Sequence, residues 1–349
     1  MTLTHRPWRL VVAGCGAAAF GLHLPHLVGD PAFEVIALTD RDPARARAAA
    51  QHFAVPRAAA SIGELLEGAD MLVVLTGVHE ELIDAALSAG VHVFTEKPVG
   101  LDVDRSRALA KQARKAGLLL EVGAMRAHDP ALHAALAAVP EPAGGWLVKA
   151  DGVDEATRRR LLPDGFAPYT FADDPPQPVP PGLEGHQVTA LQILLWQGYH
   201  LLTALVLAAA GVQPVACVVA PARQWLHATL RGPAGQLFTL IIGATPAGVF
   251  REQIHLADAV EAATVDFARP YESAAATRLT TGADGKRAGF GDPFAAMWAA
   301  IDKRLSAQHP ADLPTSADLA IRVEELALGL ATMTTLCPPH TKDIDHAWS

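Results

Sequence analysis

The chain has 349 residues, half of them hydrophobic and 19% charged, with a formal net charge of −9. These values suit a globular protein of two domains with a large core, and the acidic balance excludes a nucleic-acid binder, whose phosphate contacts need a basic face. Cys15, Cys217 and Cys337 are too few and too scattered for a disulfide framework, so a reducing cytoplasm fits, and no run of about 18 apolar residues marks a membrane span.

The first element is an apolar strand, Leu10 to Ala13. It runs into the turn Gly14-Cys15-Gly16-Ala17-Ala18-Ala19 and a helical segment to about Val28. This is G-x-G-x-x-A between a strand and a helix. Gly14 allows the tight turn, Gly16 lets a pyrophosphate approach the backbone, and Ala19 lets the helix pack closely on the sheet. The helix start offers free N–H groups and a partial positive charge to phosphates. Gly14, Gly16, His23 and His26 interrupt the apolar stretch from Val11, so it does not read as a leader peptide. A second strand, Phe33 to Leu38, ends at Thr39-Asp40, about 20 residues past the turn, where a carboxylate would hold ribose hydroxyls. Asp40 favours NAD over NADP because it repels a 2′-phosphate. Arg41 can still pair with such a phosphate or stack on adenine.

Asp42 to Phe53 reads as a helix, and Ile62 to Glu67 as a short one with Ser61 as its N-cap. Met71 to Thr76 is a continuous apolar strand, as in a parallel sheet covered on both faces. A helix from Glu80 to Ala89 closes at Gly90. The strand Val91 to Thr95 then runs into Glu96-Lys97-Pro98. A helix over Asp102 to Ala116 and a strand over Leu118 to Val122 follow. This alternation predicts an α/β fold, a doubly wound parallel Rossmann sheet, over residues 1–125. Ligands sit beyond the carboxyl ends of such strands. Gly14 to Ala19, Asp40, Thr76 with Gly77 and His79, and Glu96 to Pro98 all gather there.

After about Gly123 the rhythm changes, and residues 126–349 read as an α+β domain. Ala131 to Val139 is helical, Trp146 to Asp151 is a strand, and Pro163 to Pro181 is a long Pro-, Asp- and Gly-rich loop. Arg158-Arg159-Arg160, the compact basic run, reads as a solvated loop. Val188 to Ala210 is a long apolar helical stretch containing Gly198. Strand-like runs at Val215–Ala220, Trp225–Arg231, Leu237–Gly243, Phe250–Ala257 and Ala262–Phe267 predict an open, mainly antiparallel sheet. Pro293 to Ser306 and Ser316 to Leu336 are closing helices. The fifteen histidines include the pairs His23/His26 and His340/His346. No Cys or carboxylate cluster accompanies either pair, so no metal is expected.

Three motifs, in order, resemble the glucose–fructose oxidoreductase / inositol dehydrogenase / MocA (Gfo/Idh/MocA) family over about Arg9 to Pro130. They are Gly14-x-Gly16-x-x-Ala19 with His23-Leu24-Pro25, then Asp40, then Ala89-Gly90-Val91-His92-Val93-Phe94-Thr95-Glu96-Lys97-Pro98. The resemblance implies an NAD(P)-dependent oxidoreductase of sugars, inositols or related small molecules. It also implies Lys97 as the proton-transfer residue, a cis Lys97–Pro98 peptide, and a homodimer or homotetramer built on the open sheet. The chemistry of Lys97 agrees: hydride transfer to a carbonyl leaves an alkoxide that must gain a proton, and a desolvated lysine has a lowered pKa suited to that exchange. Glu96 is expected to orient backbone or a cofactor amide.

The family's L-D-x-G-x-H pattern meets Leu195-Trp196-Gln197-Gly198-Tyr199-His200 in this chain. His200 falls on the histidine and is a second candidate catalytic residue. Trp196 stands at the aspartate position, where an indole cannot accept a proton. It can offer a flat wall to a ring. The altered motif also resembles the thiazolinyl imine reductases, which lack the Asp/His pair and reduce a C=N bond. Under that resemblance Arg126, His128 or Tyr199 could supply protons or polar contacts near the nicotinamide. His23 is a further substrate-side candidate. A third reading is a non-catalytic dinucleotide sensor, against which an aimed Lys97 argues. The expected partner is a small-molecule substrate, with no nucleic acid and no membrane.

Overall fold

Two sheets organise the computed structural model, which describes residues 6–59, 62–63, 65–152, 155–169, 177–246, 248–272, 276–282, 285–307 and 315–337. The first is parallel, built from β1 (Trp8–Ala13), β2 (Phe33–Thr39), β3 (Ala58–Ala59), β4 (Met71–Val74), β5 (His92–Thr95) and β6 (Leu120–Val122). Its order is β3-β2-β1-β4-β5-β6. The order reverses between β1 and β4, which opens a crevice beyond their carboxyl ends. Leu10, Val11 and Val12 are all buried, because helices cover both faces of β1. Those helices include α1 (Leu24–Gly29), α2 (Pro43–His52), α3 (Glu80–Ser88) and α4 (Val103–Lys115). Asp42 and Asp102 cap α2 and α4, accepting from the Ala44 and Asp104 N–H groups. The expected helix over Ile62–Glu67 does not form, and its described residues make turns. Six residues that include Gly63 are too short to propagate a helix. Ser61 lies outside the described residues.

The second sheet holds β7 (Gly144–Asp151), β8 (Gln213–Ala220), β9 (Trp225–Arg231), β10 (Leu237–Ala244), β11 (Phe250–Ala257), β12 (Ala262–Asp266), β13 (Arg278–Thr281), β14 (Gly285–Ala288) and β15 (Thr334–Leu336). Its order is β14-β13-β12-β11-β7-β10-β9-β8-β15. Every neighbouring pair is antiparallel except β7 with β10 and β8 with β15. Burial alternates along β9 and β13, so one face is core and the other solvent. The core face packs on α5 (Pro130–Ala138) and on a helix pair described next.

Several elements differ from expectation. Arg158–Arg160 is helical, closing α6 (Glu155–Arg160). The long helix expected over Val188–Ala210 is broken into α7 (Gly185–Gln192), a π-helical turn at Ile193–Gln197, and α8 (Tyr199–Ala208). The axis bends by 77° at the break. Gly198 sits at that bend, where a Cβ would lie 2.4 Å from Ile242 Cδ1 and 2.9 Å from the Leu194 carbonyl oxygen. A side chain there would have to displace the Ile242 tip of the sheet and would still meet the backbone of Leu194. The late helix α9 (Pro293–Leu305) folds back onto the first sheet. Its Phe294, Met297, Trp298, Ile301 and Leu305 join the cluster of Leu10, Val12 and Phe33. Arg304 of α9 grips Glu121 with two hydrogen bonds of 2.6 and 2.8 Å. The core of the first sheet is thus completed from the far end of the chain. The last helix, α10 (Ser316–Thr332), ends earlier than expected, because Thr334–Leu336 pairs with β8 as β15. Among the described residues, no single helix is long and apolar enough to cross a membrane.

Candidate active site

The glycine turn follows β1. Gly14 has φ +99°, and a Cβ there would lie 2.8 Å from the Leu75 carbonyl carbon and oxygen, so β4 leaves room for glycine alone. Helix begins at Ala17, and a π-helical turn over Ala19–His23 leads into α1. Asp40, at the end of β2, ties the turn down: its Oδ2 accepts from the Cys15 N–H at 2.7 Å. Burial pushes the Cys15 thiol up to about 12, with the Asp40 charge adding to it, so Cys15 is a packing residue. Tyr169 reaches across from the second half and donates its hydroxyl to Asp40 Oδ1 at 2.7 Å. Arg41 and Arg45 place their guanidinium carbons 4.1 and 4.2 Å from the Tyr169 ring centre. The turn fits a dinucleotide, because Gly16 has no atom nearer to its Cβ position than the Tyr169 ring at 3.8 Å.

Beyond β5 the chain makes a cis Lys97–Pro98 peptide. His79 bridges this turn to the end of β4, with its ring nitrogens 2.7 Å from the Thr76 and Pro98 carbonyl oxygens. Gly77 offers its carbonyl to Gln177 at 2.6 Å. Lys97 Nζ donates to the Trp196 carbonyl at 3.0 Å. The π-helical turn thus presents a backbone acceptor to the amine. Burial pushes the Lys97 ammonium down to about 8; the charge of Glu96 opposes this, while Lys149 and Arg158 add to it. Glu96 Oε1 accepts from His23 Nε2 at 2.9 Å. Burial favours the neutral Glu96 carboxyl, but His23 and Lys97 outweigh it and hold the group below its usual range. His23 is buried against the rings of Phe94, Phe294 and Trp298.

A cavity of about 270 Å³ opens in front of Lys97. The first sheet's domain gives it Ala18, Leu22, Glu96 and Met125; the second gives Lys149, Asp151, Arg158, Trp196, Gln197 and His200. Burial and the nearby Lys97 charge push the His200 imidazolium far down, so the ring is neutral. Its Nδ1 and Gln197 Oε1 are buried without a hydrogen-bond partner, and both residues face the cavity. Lys149 lies opposite Glu252 in the β7–β11 register, with Nζ 3.4 Å from Oε2. Lys149 and Arg126 outweigh burial and hold Glu252 well below the carboxylate range.

The structure therefore brings Lys97, Glu96, Trp196 and His200 to one cavity and Gly14 to Ala19 with Asp40 and Arg41 to its neighbouring turn. His23 backs Glu96 from the core. Arg126, His128 and Tyr199 do not line the cavity. Arg126 is buried in ion pairs with Asp129 and Glu252 at 2.9 and 3.2 Å. Burial, with Arg304 and His133, takes His128 down to about 4. Tyr199 is wholly buried. Sequence reasoning missed Lys149, Asp151, Tyr169 and the cavity-facing role of Arg158. The period-two spacing of Lys149 and Asp151 in β7 was the signal for that pair. Among the described residues no group of three or more His, Cys, Asp or Glu side chains is placed to hold a metal.

Comparison with known proteins follows this division of the chain. Residues 8–124 match the GFO_IDH_MocA family model, described as an oxidoreductase family with an NAD-binding Rossmann fold. A myo-inositol dehydrogenase of Streptomyces leeuwenhoekii is 38% identical over 131 residues, 35% of this chain and 38% of that protein. A dTDP-3,4-didehydro-2,6-dideoxy-α-D-glucose 3-reductase of Actinomadura kijaniata is 36% identical over 135 residues, 36% of this chain and 38% of that one. These matches span under two-fifths of each relative. The fold likeness is wider: a 3-ketoreductase from Actinomadura kijaniata, solved with NADP and TDP-benzene, aligns with a TM-score of 0.72 at 21% identity, over 95% of this chain and 100% of that one.

Proposed function

We propose, for a chain whose residues 8–124 belong to the Gfo/Idh/MocA oxidoreductase family, that it is an NAD(P)-dependent oxidoreductase of a small-molecule carbonyl or alcohol. Lys97 is its proton-transfer residue. One observation carries this reading: a half-buried amine, its pKa pushed down to about 8, stands at a strand end beside the glycine turn and faces a cavity of about 270 Å³. A nicotinamide dinucleotide, when bound, supplies or takes the hydride. The residues that would hold it are Gly14 to Ala19, Asp40 and Arg41, with Thr76, Gly77, His79 and Glu96 to Pro98 along the crevice. Asp40 favours NAD, since its carboxylate repels a 2′-phosphate.

The chain's own groups do the rest. Lys97 gives its proton to the substrate oxygen in reduction and takes it back in oxidation. The Trp196 carbonyl holds the amine in place, and His200, neutral, can hydrogen-bond the same oxygen. Glu96, bonded to His23, keeps a negative charge beside the ammonium. The inositol and keto-sugar names of the relatives support a polyol or keto-sugar substrate. Imine reduction is the second reading, supported by Trp196 standing where the family has a carboxylate, since Lys97 can protonate nitrogen as it does oxygen. The same reading places a second copy of the chain on the outer face of the nine-stranded sheet, where Trp225 and Leu237 are exposed.

The test mixes purified protein with NADH or NADPH and panels of ketones, keto-sugars and cyclic imines, and follows absorbance. Turnover that Lys97→Met abolishes supports the enzyme. Cofactor binding without turnover on any panel favours a dinucleotide sensor.

A further inference from the structure

We infer that the substrate is an anion: a carbonyl or hydroxy compound whose carboxylate or phosphate docks on Arg158 and Lys149 while its reacting carbon faces Lys97. This rests on the oxidoreductase reading above and narrows its substrate class. Four cations, Lys97, Lys149, Arg158 and Arg269, line the cavity beside two carboxylates, Glu96 and Asp151, and Arg269 is paired with Glu272 at 3.2 Å. Glu96 is hydrogen-bonded by His23, and burial raises the Asp151 carboxyl against the pull of Lys149, Arg269 and Arg158. Behind the wall, Glu252 faces both Lys149 and Arg126, and Arg126 is also paired with Asp129 at 2.9 Å. Even with Arg269 held by Glu272, three cations, Lys97, Lys149 and Arg158, face two carboxylates, Glu96 and Asp151, in the cavity wall.

The basic run Arg158–Arg160 sharpens the point. Arg159 pairs with Glu155 at 3.1 Å, and Arg160 donates to Thr157 Oγ1 at 2.9 Å. Arg158 alone of the three lines the cavity. It pairs with no carboxylate among the described residues, and its guanidinium carbon lies 5.7 Å from the Tyr271 ring centre. A guanidinium at a cavity wall presents the planar fork that binds an oxyanion with two parallel hydrogen bonds. Lys149 and Arg158 also repel the Lys97 ammonium. An oxyanion between them relieves that repulsion, whereas a neutral polyol leaves it in place. The orphan Gln197 Oε1 and His200 Nδ1 are then left for the uncharged part of the molecule.

The experiment titrates the full chain, with and without saturating NADH, with glucuronate, glucose 6-phosphate and glucose, and reads binding by calorimetry. One of the two anions should bind at least tenfold more tightly than glucose, and which one tells carboxylate from phosphate. Arg158→Gln should erase that preference and leave the NADH affinity unchanged; Arg158→Lys, which keeps the charge but loses the fork, should keep only part of it. Equal binding of all three probes, or no binding of any, overturns the inference. So does an Arg158→Gln effect confined to NADH, which would assign the arginine to the cofactor. Failure of the wild type to bind NADH would overturn the oxidoreductase reading instead, and the cofactor-free titrations would still decide this one.

Discussion

Tyr169 and Asp40 are joined by a 2.7 Å hydrogen bond that ties the second half of the chain to the end of β2. The carboxylate that would take ribose hydroxyls already accepts from the Cys15 and Asp42 N–H groups and the Tyr169 phenol. A ribose hydroxyl must compete with that phenol at Oδ1. A hydrogen bond to a charged group contributes about 1.5–3 kcal/mol, so removing the competitor should tighten cofactor binding by about tenfold or more. Tyr169→Phe is therefore expected to lower the NADH Kd in a fluorescence titration. A higher Kd would mean that the phenol holds the dinucleotide rather than competing with it.

Lys97→Met should lower kcat by about 10²–10⁴, the usual worth of a positioned acid–base group, and leave the NADH Kd nearly unchanged. The pH profile checks the same residue. Lys97 titrates near 8, and only the ammonium can donate. Reduction should therefore fall as pH rises through about 8, and oxidation, which needs the free amine, should rise over the same window. Initial rates in both directions between pH 6 and 10 test this, and profiles with the same sign in both directions would remove Lys97 from the proton step.

The elements that place the cofactor residues were readable because each depends on neighbours in sequence. The strand–glycine–helix order around Gly14 and the apolar run into Glu96-Lys97-Pro98 carry local signatures that parallel burial enforces. The cavity wall was not readable in the same way. The acceptor for Lys97 is a backbone carbonyl, which no side-chain pattern reveals, and it faces the amine only because a π-helical turn interrupts the helix at Ile193–Gln197. Gly198 was the visible mark of that break, but the groups that crowd it, the Ile242 tip on β10 and the Leu194 carbonyl, are known only from the fold. Arg158 read as solvated because its two neighbours in the run are charged as well. Contacts that join distant segments, such as Arg304 with Glu121 or Tyr169 with Asp40, have no local signal at all.

Gly198→Ala tests how tightly that bend is built. The new methyl would meet the tip of Ile242, which can swing aside, and the Leu194 carbonyl oxygen, which belongs to the backbone and cannot. Overpacking of this kind costs about 1–3 kcal/mol. Denaturant unfolding should show that loss, and adding Ile242→Ala should not rescue it. Because the same turn holds the Lys97 amine, kcat should fall as well. A fully stable variant with unchanged kcat would mean that the turn is not fixed by this contact.

Glu324, on α10, supports the turn after Lys97–Pro98 by accepting the Val99 N–H at 2.9 Å. Burial pushes its carboxyl up to about 8 from an ordinary value of 4.5, against the hydrogen bonds of Ser106 and Val99. The folded chain then holds a proton there that the unfolded chain releases above pH 4.5. Folding must take that proton up, so the group's contribution to stability declines as pH climbs from about 4.5 to about 8, and is level below and above that window. Glu324→Gln carries no proton to take up and can still accept from Val99. It should be close to wild type in stability at pH 4.5 and more stable by roughly 2–4 kcal/mol at pH 8. Thermal unfolding of both proteins at the two pH values reads the difference, and a gain of equal size at each pH would mean that Glu324 stays ionised in the fold.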